Sequence, residues 1–76
     1  MKRKKFYSVK REDYWWIEER NRWQKNVSRK YISASSRCFT DKAKAFAHGL
    51  RLKGKVTIAE LTPGKRGWDI ITWEKD

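Results

Sequence analysis

Few residues of this 76-residue chain have the type and spacing to do chemistry, and most of those are cations set among aromatic rings. Arg20, Arg22, Lys25, Arg29, Lys30 and Arg37 form a run with no acid between its ends, and Trp23 and Tyr31 sit inside it. A second cluster, Lys2, Arg3, Lys4 and Lys5, makes a basic N-terminal arm. Arg and Lys neutralise phosphates and release the counterions condensed on them. Exposed Trp or Tyr stacks on unpaired bases for ~1–3 kcal/mol each. The pattern therefore points to nucleic acid or another polyanion. The competing reading is a solvated basic surface over an aromatic core. It places Trp16, Ile17 and Phe46 in that core and divides Trp23 between core and surface.

Other chemistry is thin. His48 stands alone beside Ala47 and reads as a partly exposed surface histidine, not a general base. Cys38 precedes Phe39 where a strand would run into a helix. A helix N-terminus lowers a thiol pKa, but a small buried hydrophobe is the favoured reading. Glu18 and Glu19 are adjacent, so on a strand they point to opposite faces and cannot work as an acid–base pair. Gly64-Lys65-Arg66-Gly67 has the look of a phosphate loop without the strand-to-helix setting one needs. As a hairpin tip, Lys65 and Arg66 could still touch a phosphate backbone. With one Cys and one His, neither a disulfide within the chain nor a structural zinc site is expected. No catalytic residue, metal or cofactor is expected.

Charge and composition bound the class. Lys and Arg total 20 against 9 acids, a net charge of +11, and 14 % of the residues are aromatic. Disordered chains are poor in aromatics, so a folded module is expected. No stretch approaches the ~18 uninterrupted apolar residues of a membrane span. The basic start is not followed by the apolar run of a secretory signal. The single cysteine suits a reducing compartment, so a cytoplasmic location is expected, that of the host if the protein is viral. Charge is also segregated along the chain. Residues 1–55 carry 17 bases and 5 acids, whereas residues 56–76 carry 3 bases and 4 acids.

The elements that must position these residues follow from local patterns. Thr40-Asp41 caps a helix over 41–53, with Ala43, Phe46, Ala47 and Leu50 at i, i+3, i+4, i+7 as its buried stripe. Gly54 suits the position after its end, although Gly49 could stop it sooner. Val56–Leu61 and Trp68–Trp73 read as a hairpin, with Pro63 and Gly64 at the centre of a type II turn. Large apolar residues on both faces of the return strand imply that one sheet face is not wholly given to solvent. The expected core also includes Ile32, Leu50, Val56, Ile58, Leu61, Ile70 and Ile71. Phe6–Val9 and Tyr14–Ile17 read as strands joined by a turn at Arg11-Glu12-Asp13. Residues 21–29 would then be a basic loop or bulged ribbon and 30–37 a third strand. The alternative is an additional helix at 12–27, where Trp16, Trp23 and Val27 share a face and Glu18 pairs with Arg22. The expected fold is α+β: an antiparallel sheet of about five strands in the order β-β-β-α-β-β, with one helix packed on it. It fills a single small domain over residues 1–76, with a basic arm at 1–5.

From Ala34 onward the layout resembles that of some very small phage-encoded proteins, certain anti-CRISPR proteins among them. The residues that carry the likeness are Cys38-Phe39-Thr40 through Leu50, then Val56–Leu61 and Trp68–Trp73. It covers roughly half of the chain and rests on arrangement, with no functional residue carried over. What the resemblance implies is a small basic inhibitor that occupies a nucleic-acid path on a host machine, or binds its nucleic acid.

Taken together, the sequence favours a non-enzymatic nucleic-acid-binding accessory protein of viral or mobile-element type, with low sequence specificity. Lys2, Arg3, Lys4, Lys5, Arg20, Arg22, Lys25, Arg29, Lys30, Arg37, Lys65 and Arg66 would meet phosphates, and Trp23 and Tyr31 would stack. The alternative is a phage-type inhibitor that binds a host protein or nucleoprotein complex. A homodimer is left open, and no membrane contact is expected.

Overall fold

The computed structural model describes residues 4–25, 27–32 and 36–76, and of Arg29 and Lys30 the backbone only. Residues 6–25 form a meander of β1 (Phe6–Arg11), β2 (Tyr14–Ile17) and β3 (Arg22–Lys25). Glu12, at φ 56°, turns β1 into β2. A 3-10 turn over Glu18–Arg20 and Asn21, at φ 51°, turn β2 into β3. Asn tolerates this left-handed conformation better than most residues. A single helical turn, α1 (Arg29–Ile32), follows, its start tied by the Ser28 hydroxyl, which accepts from the Tyr31 N–H at 3.2 Å. The long helix is α2 (Lys42–Arg51), and β4 (Val56–Gly64) and β5 (Gly67–Lys75) close the chain. Among the described residues the strands form one antiparallel five-stranded sheet of order β3-β2-β1-β4-β5. This is the α+β arrangement of β-β-β-α-β-β expected from the sequence.

Several local expectations are corrected. The alternative helix at 12–27 is absent, because Trp16 pairs across strands with Trp23 and so buries both rings against a common face. The third strand lies at 22–25 rather than 30–37, and the Ser28 cap makes residues 29–32 helical. Residues 33–35 of the expected strand lie outside the described residues. The hairpin turn falls at Lys65-Arg66, while Pro63 pairs with Trp68 inside the ladder. Leu50, Ile70 and Ile71, expected in the core, are exposed.

Each face of the sheet carries a buried cluster, and the chain passes through the sheet to build both. β1 and β2 pair only at Lys10–Trp15 and Arg11–Tyr14. Below that point they part, and residues 37–39 fill the gap. Tyr7 and Phe39 exchange backbone hydrogen bonds of 2.7 and 2.8 Å, and the Glu18 N–H donates to the Arg37 carbonyl at 3.1 Å. Strand alternation then sends Cys38 to one face and Phe39 to the other. On the α1 side, Ile32 and Cys38 are buried with Phe6, Ile17, Ala59 and Leu61. On the α2 side, Phe39 and Ala45 are buried with Tyr7, Val9, Val56 and Ile58.

α2 begins as expected, with the Asp41 carboxylate accepting from the Ala43 N–H at 2.9 Å. Its buried face is different. Ala45 and Gly49 are buried and Phe46 half-buried, whereas Ala43, Ala47 and Leu50 face solvent. The helix ends at Leu52, so Gly49 is an interior residue. It is there for proximity: a Cβ on Gly49 would lie 2.7 Å from Ile58 Cδ1 and 2.8 Å from its Cγ1. Two small residues one turn apart thus let α2 sit against β4. Gly49→Ala gains up to ~1 kcal/mol of helix propensity but overpacks the interface at a cost of ~1–3 kcal/mol. The expected result is a net loss of about 1 kcal/mol in urea unfolding. Combining it with Ile58→Ala, which removes both clashing carbons, should leave the double variant more stable than the two single losses added together. Strict additivity would contradict the close approach.

Candidate nucleic-acid interface

Strand register builds one row of polar and aromatic side chains across the sheet on the α2 side. Arg11 pairs with Tyr14, and Tyr14 pairs with Lys25, so the three stand abreast on β1, β2 and β3. Tyr14 is 41 % exposed. The Lys25 ammonium lies 6.0 Å from its ring centroid. Arg11, Glu12, Tyr14 and Trp23 line an open depression of about 320 Å3.

The next row is aromatic. Trp16 and Trp23 meet edge to face at 5.3 Å, and the His48 ring of α2 lies 4.7 Å from Trp16 and 5.5 Å from Phe39. Trp16 Nε1 donates to Glu18 Oε1 at 2.6 Å, which fixes the indole. Beyond this row a second depression, of about 540 Å3, is lined by Trp16, Asn21, Lys44, His48 and Arg51 among others. Trp23 lines the first depression, with Arg11 as its cation, and Trp16 lines the second, with Lys44 and Arg51.

His48 is thus a member of an aromatic cluster rather than an isolated surface residue. Its Nε2 is buried without a hydrogen-bond partner. Burial pushes its pKa below the usual 6.5, with Arg51 acting in the same direction and Glu18 against it. Cys38 is deeply buried, and burial pushes its thiol up to about 12 against smaller lowering effects of the Tyr7 backbone and Lys4. It is therefore a protonated core side chain at neutral pH. Glu60, buried on β4, accepts from the Tyr7 hydroxyl at 3.0 Å and from Lys5 Nζ at 3.4 Å. Burial and that carboxylate raise the Tyr7 pKa.

The residues expected to bind phosphates do not form one surface. Lys2 and Arg3 lie outside the described residues, as do the side chains of Arg29 and Lys30. Lys4 is exposed, 5.6 Å from the Phe6 ring centroid, and Lys5 is engaged with Glu60. Arg37 is committed within the chain: it bonds Glu19 and the Tyr31 carbonyl, each at 3.1 Å, and lies 4.3 Å from the Tyr31 ring centroid. That guanidinium occupies a face of Tyr31 that a base would need. Arg20 is exposed on the 3-10 turn. Arg22 is exposed too, three residues from Lys25 and so on the opposite face of β3. Lys65 and Arg66 tip the β4–β5 hairpin, and β5 is the edge opposite β3. Among those described, Lys25 alone belongs to the Arg11–Tyr14 row, and Trp23 stands beside it in the next. Arg11, Tyr14, Lys44 and Arg51 were not singled out from sequence. The signal for the first two was the short turn Glu12-Asp13, which places its flanking residues side by side.

Among the described residues no group of three His, Cys, Asp or Glu could hold a metal ion. No protein-family model, curated protein or solved structure matches the chain.

A lowered His48 pKa makes the folded chain the poorer proton acceptor. Its contribution to stability is present above about pH 6.5 and falls as the pH drops through the folded value. Urea unfolding at pH 7.5 and pH 5 should show the midpoint falling on acidification, and His48→Phe should flatten that fall. An unchanged fall in the variant would place the responsible group elsewhere.

Proposed function

We propose that this protein binds single-stranded nucleic acid with little sequence preference, as a non-enzymatic accessory protein of viral or mobile-element type. The observation that carries this reading is the Arg11–Tyr14–Lys25 row beside Trp23. It sets a tyrosine ring, 41 % exposed, between two exposed cations at the rim of an open depression. An exposed ring between cations suits an unpaired base and its flanking phosphates. Bases stacked in a duplex would not present their faces to it. α2 lies on the sheet with its small residues Ala45 and Gly49 inward and is not presented as a groove reader. Low specificity follows from stacking and charge without base-edge readout. The viral or mobile-element origin rests on the likeness of layout to small phage proteins.

Two variants separate the contributions. Tyr14→Ala should weaken binding of an oligothymidylate by the ~1–3 kcal/mol of one stacked base, about 5- to 150-fold, with little change in thermal stability. Arg11→Ala with Lys25→Ala should weaken binding to all sequences alike. It should also flatten the log–log salt slope by about 1.4, two phosphates at ~0.7 each. Wild-type affinity in both variants, or no binding near physiological salt, would overturn the reading.

A further inference from the structure

The two edges of the sheet are unlike. β3 is four residues long and carries Arg22 and Lys25 at its ends, the charge that normally guards an edge. β5 is nine residues long, and within Trp68–Trp73 it carries one charge, no proline and two exposed isoleucines, Ile70 at 40 % and Ile71 at 53 %. A strand of that kind is a template for another strand. The surrounding charge says what kind. Residues 56–76 have a net charge of −1, in a chain whose first 55 residues carry +12. The β5 edge is thus a long stretch where two copies of this cationic chain can meet without strong repulsion.

The register of the hairpin fixes how they would meet. In a hairpin with a two-residue loop the closing pair, Gly64 and Gly67, exchanges hydrogen bonds, and bonded pairs then alternate along the ladder. The same phase carried across β4 to β1 turns Tyr7 outward, where it bonds Phe39 as this pattern requires. On β5, Asp69, Ile71, Trp73 and Lys75 therefore bond to β4. Trp68, Ile70, Thr72 and Glu74 direct their N–H and C=O groups to the open edge.

We propose that two copies of the chain pair antiparallel through β5 about a two-fold axis at Thr72, joining their sheets into one of ten strands. With Thr72 facing Thr72 of the second copy, Ile70 bonds Glu74 and the outward groups are used on both strands. On the α2 face this register sets Asp69 opposite Lys75 and Ile71 opposite Trp73, each twice. Moving the axis to Ile71 sets Asp69 opposite Trp73 and Lys75 opposite Gly67. An axis between Ile71 and Thr72 sets Asp69 against Glu74. The Thr72 register alone of these three pairs both charges with their opposites. The dimer does not depend on what the β2–β3 surface binds.

Analytical ultracentrifugation over ~1–500 μM tests it, with circular dichroism to check folding. The wild type should sediment at about twice the 9.2 kDa chain mass at the upper concentrations. Asp69→Lys alone and Lys75→Asp alone should each raise the dimer Kd about tenfold, since each sets like charges opposite one another twice. The double exchange, whose net charge equals that of the wild type, should restore dimerisation. Hydrogen exchange on the wild type gives a test without mutation: the Ile70, Thr72 and Glu74 amides should gain protection as concentration rises. A monomer throughout, a dimer indifferent to both single exchanges, or no concentration dependence at those amides would overturn the proposal.

Discussion

The rest of the structure depends on the backbone pairing of Tyr7 with Phe39. Residues 37–39 occupy the fork between β1 and β2, and the two hydrogen bonds of 2.7 and 2.8 Å replace ladder bonds that β1 would otherwise lack there. Buried backbone groups left unpaired are costly. The crossing removes that cost and sends successive side chains to opposite faces. It also explains how a 76-residue chain builds a buried cluster on each side of a five-stranded sheet. One segment serves the α1 side with Ile32 and Cys38, then the α2 side with Phe39 and the helix that follows.

The cations are managed by the same economy. Lys4, Lys10, Arg37 and Lys42 each lie within about 6 Å of an aromatic ring centroid. Much of the interleaving of basic and aromatic residues is therefore satisfied inside the chain. Arg37 and Tyr31 are the clearest case, with the guanidinium held by Glu19 and a carbonyl as well. Where the cations are exposed around an exposed ring, as at Tyr14, the same chemistry is available to a ligand. Net charge by itself does not distinguish these situations. Register does.

The legible parts of the fold were those with strong local signals. The Asp41 cap and the turn between β1 and β2 are plain because cap and turn chemistry is local, and β4 and β5 are plain from their β-branched and aromatic residues, but Pro63-Gly64 points to a turn that falls instead at Lys65-Arg66. The buried face of α2 was not, because helical periodicity favours large apolar residues and the close contact with Ile58 instead selects Ala45 and Gly49. The third strand was misplaced because a run of cations around Trp23 reads as a loop. Its partner Trp16 across the sheet makes it a strand. At the candidate site the sequence points to Trp23 and Lys25, while Arg11 reads only as part of a turn and Tyr14 only as the start of a strand. A row across three strands is a property of register, and no single stretch of sequence displays it.

A nuclear magnetic resonance titration of 15N-labelled protein with a short single-stranded oligonucleotide tests the central claim most directly. The account predicts that the Trp23 indole and the Arg11, Tyr14 and Lys25 amides shift together, while the Lys65–Arg66 tip and the Arg37 guanidinium stay in place. Shifts concentrated at the hairpin tip, or at Tyr31 and Arg37, would contradict it.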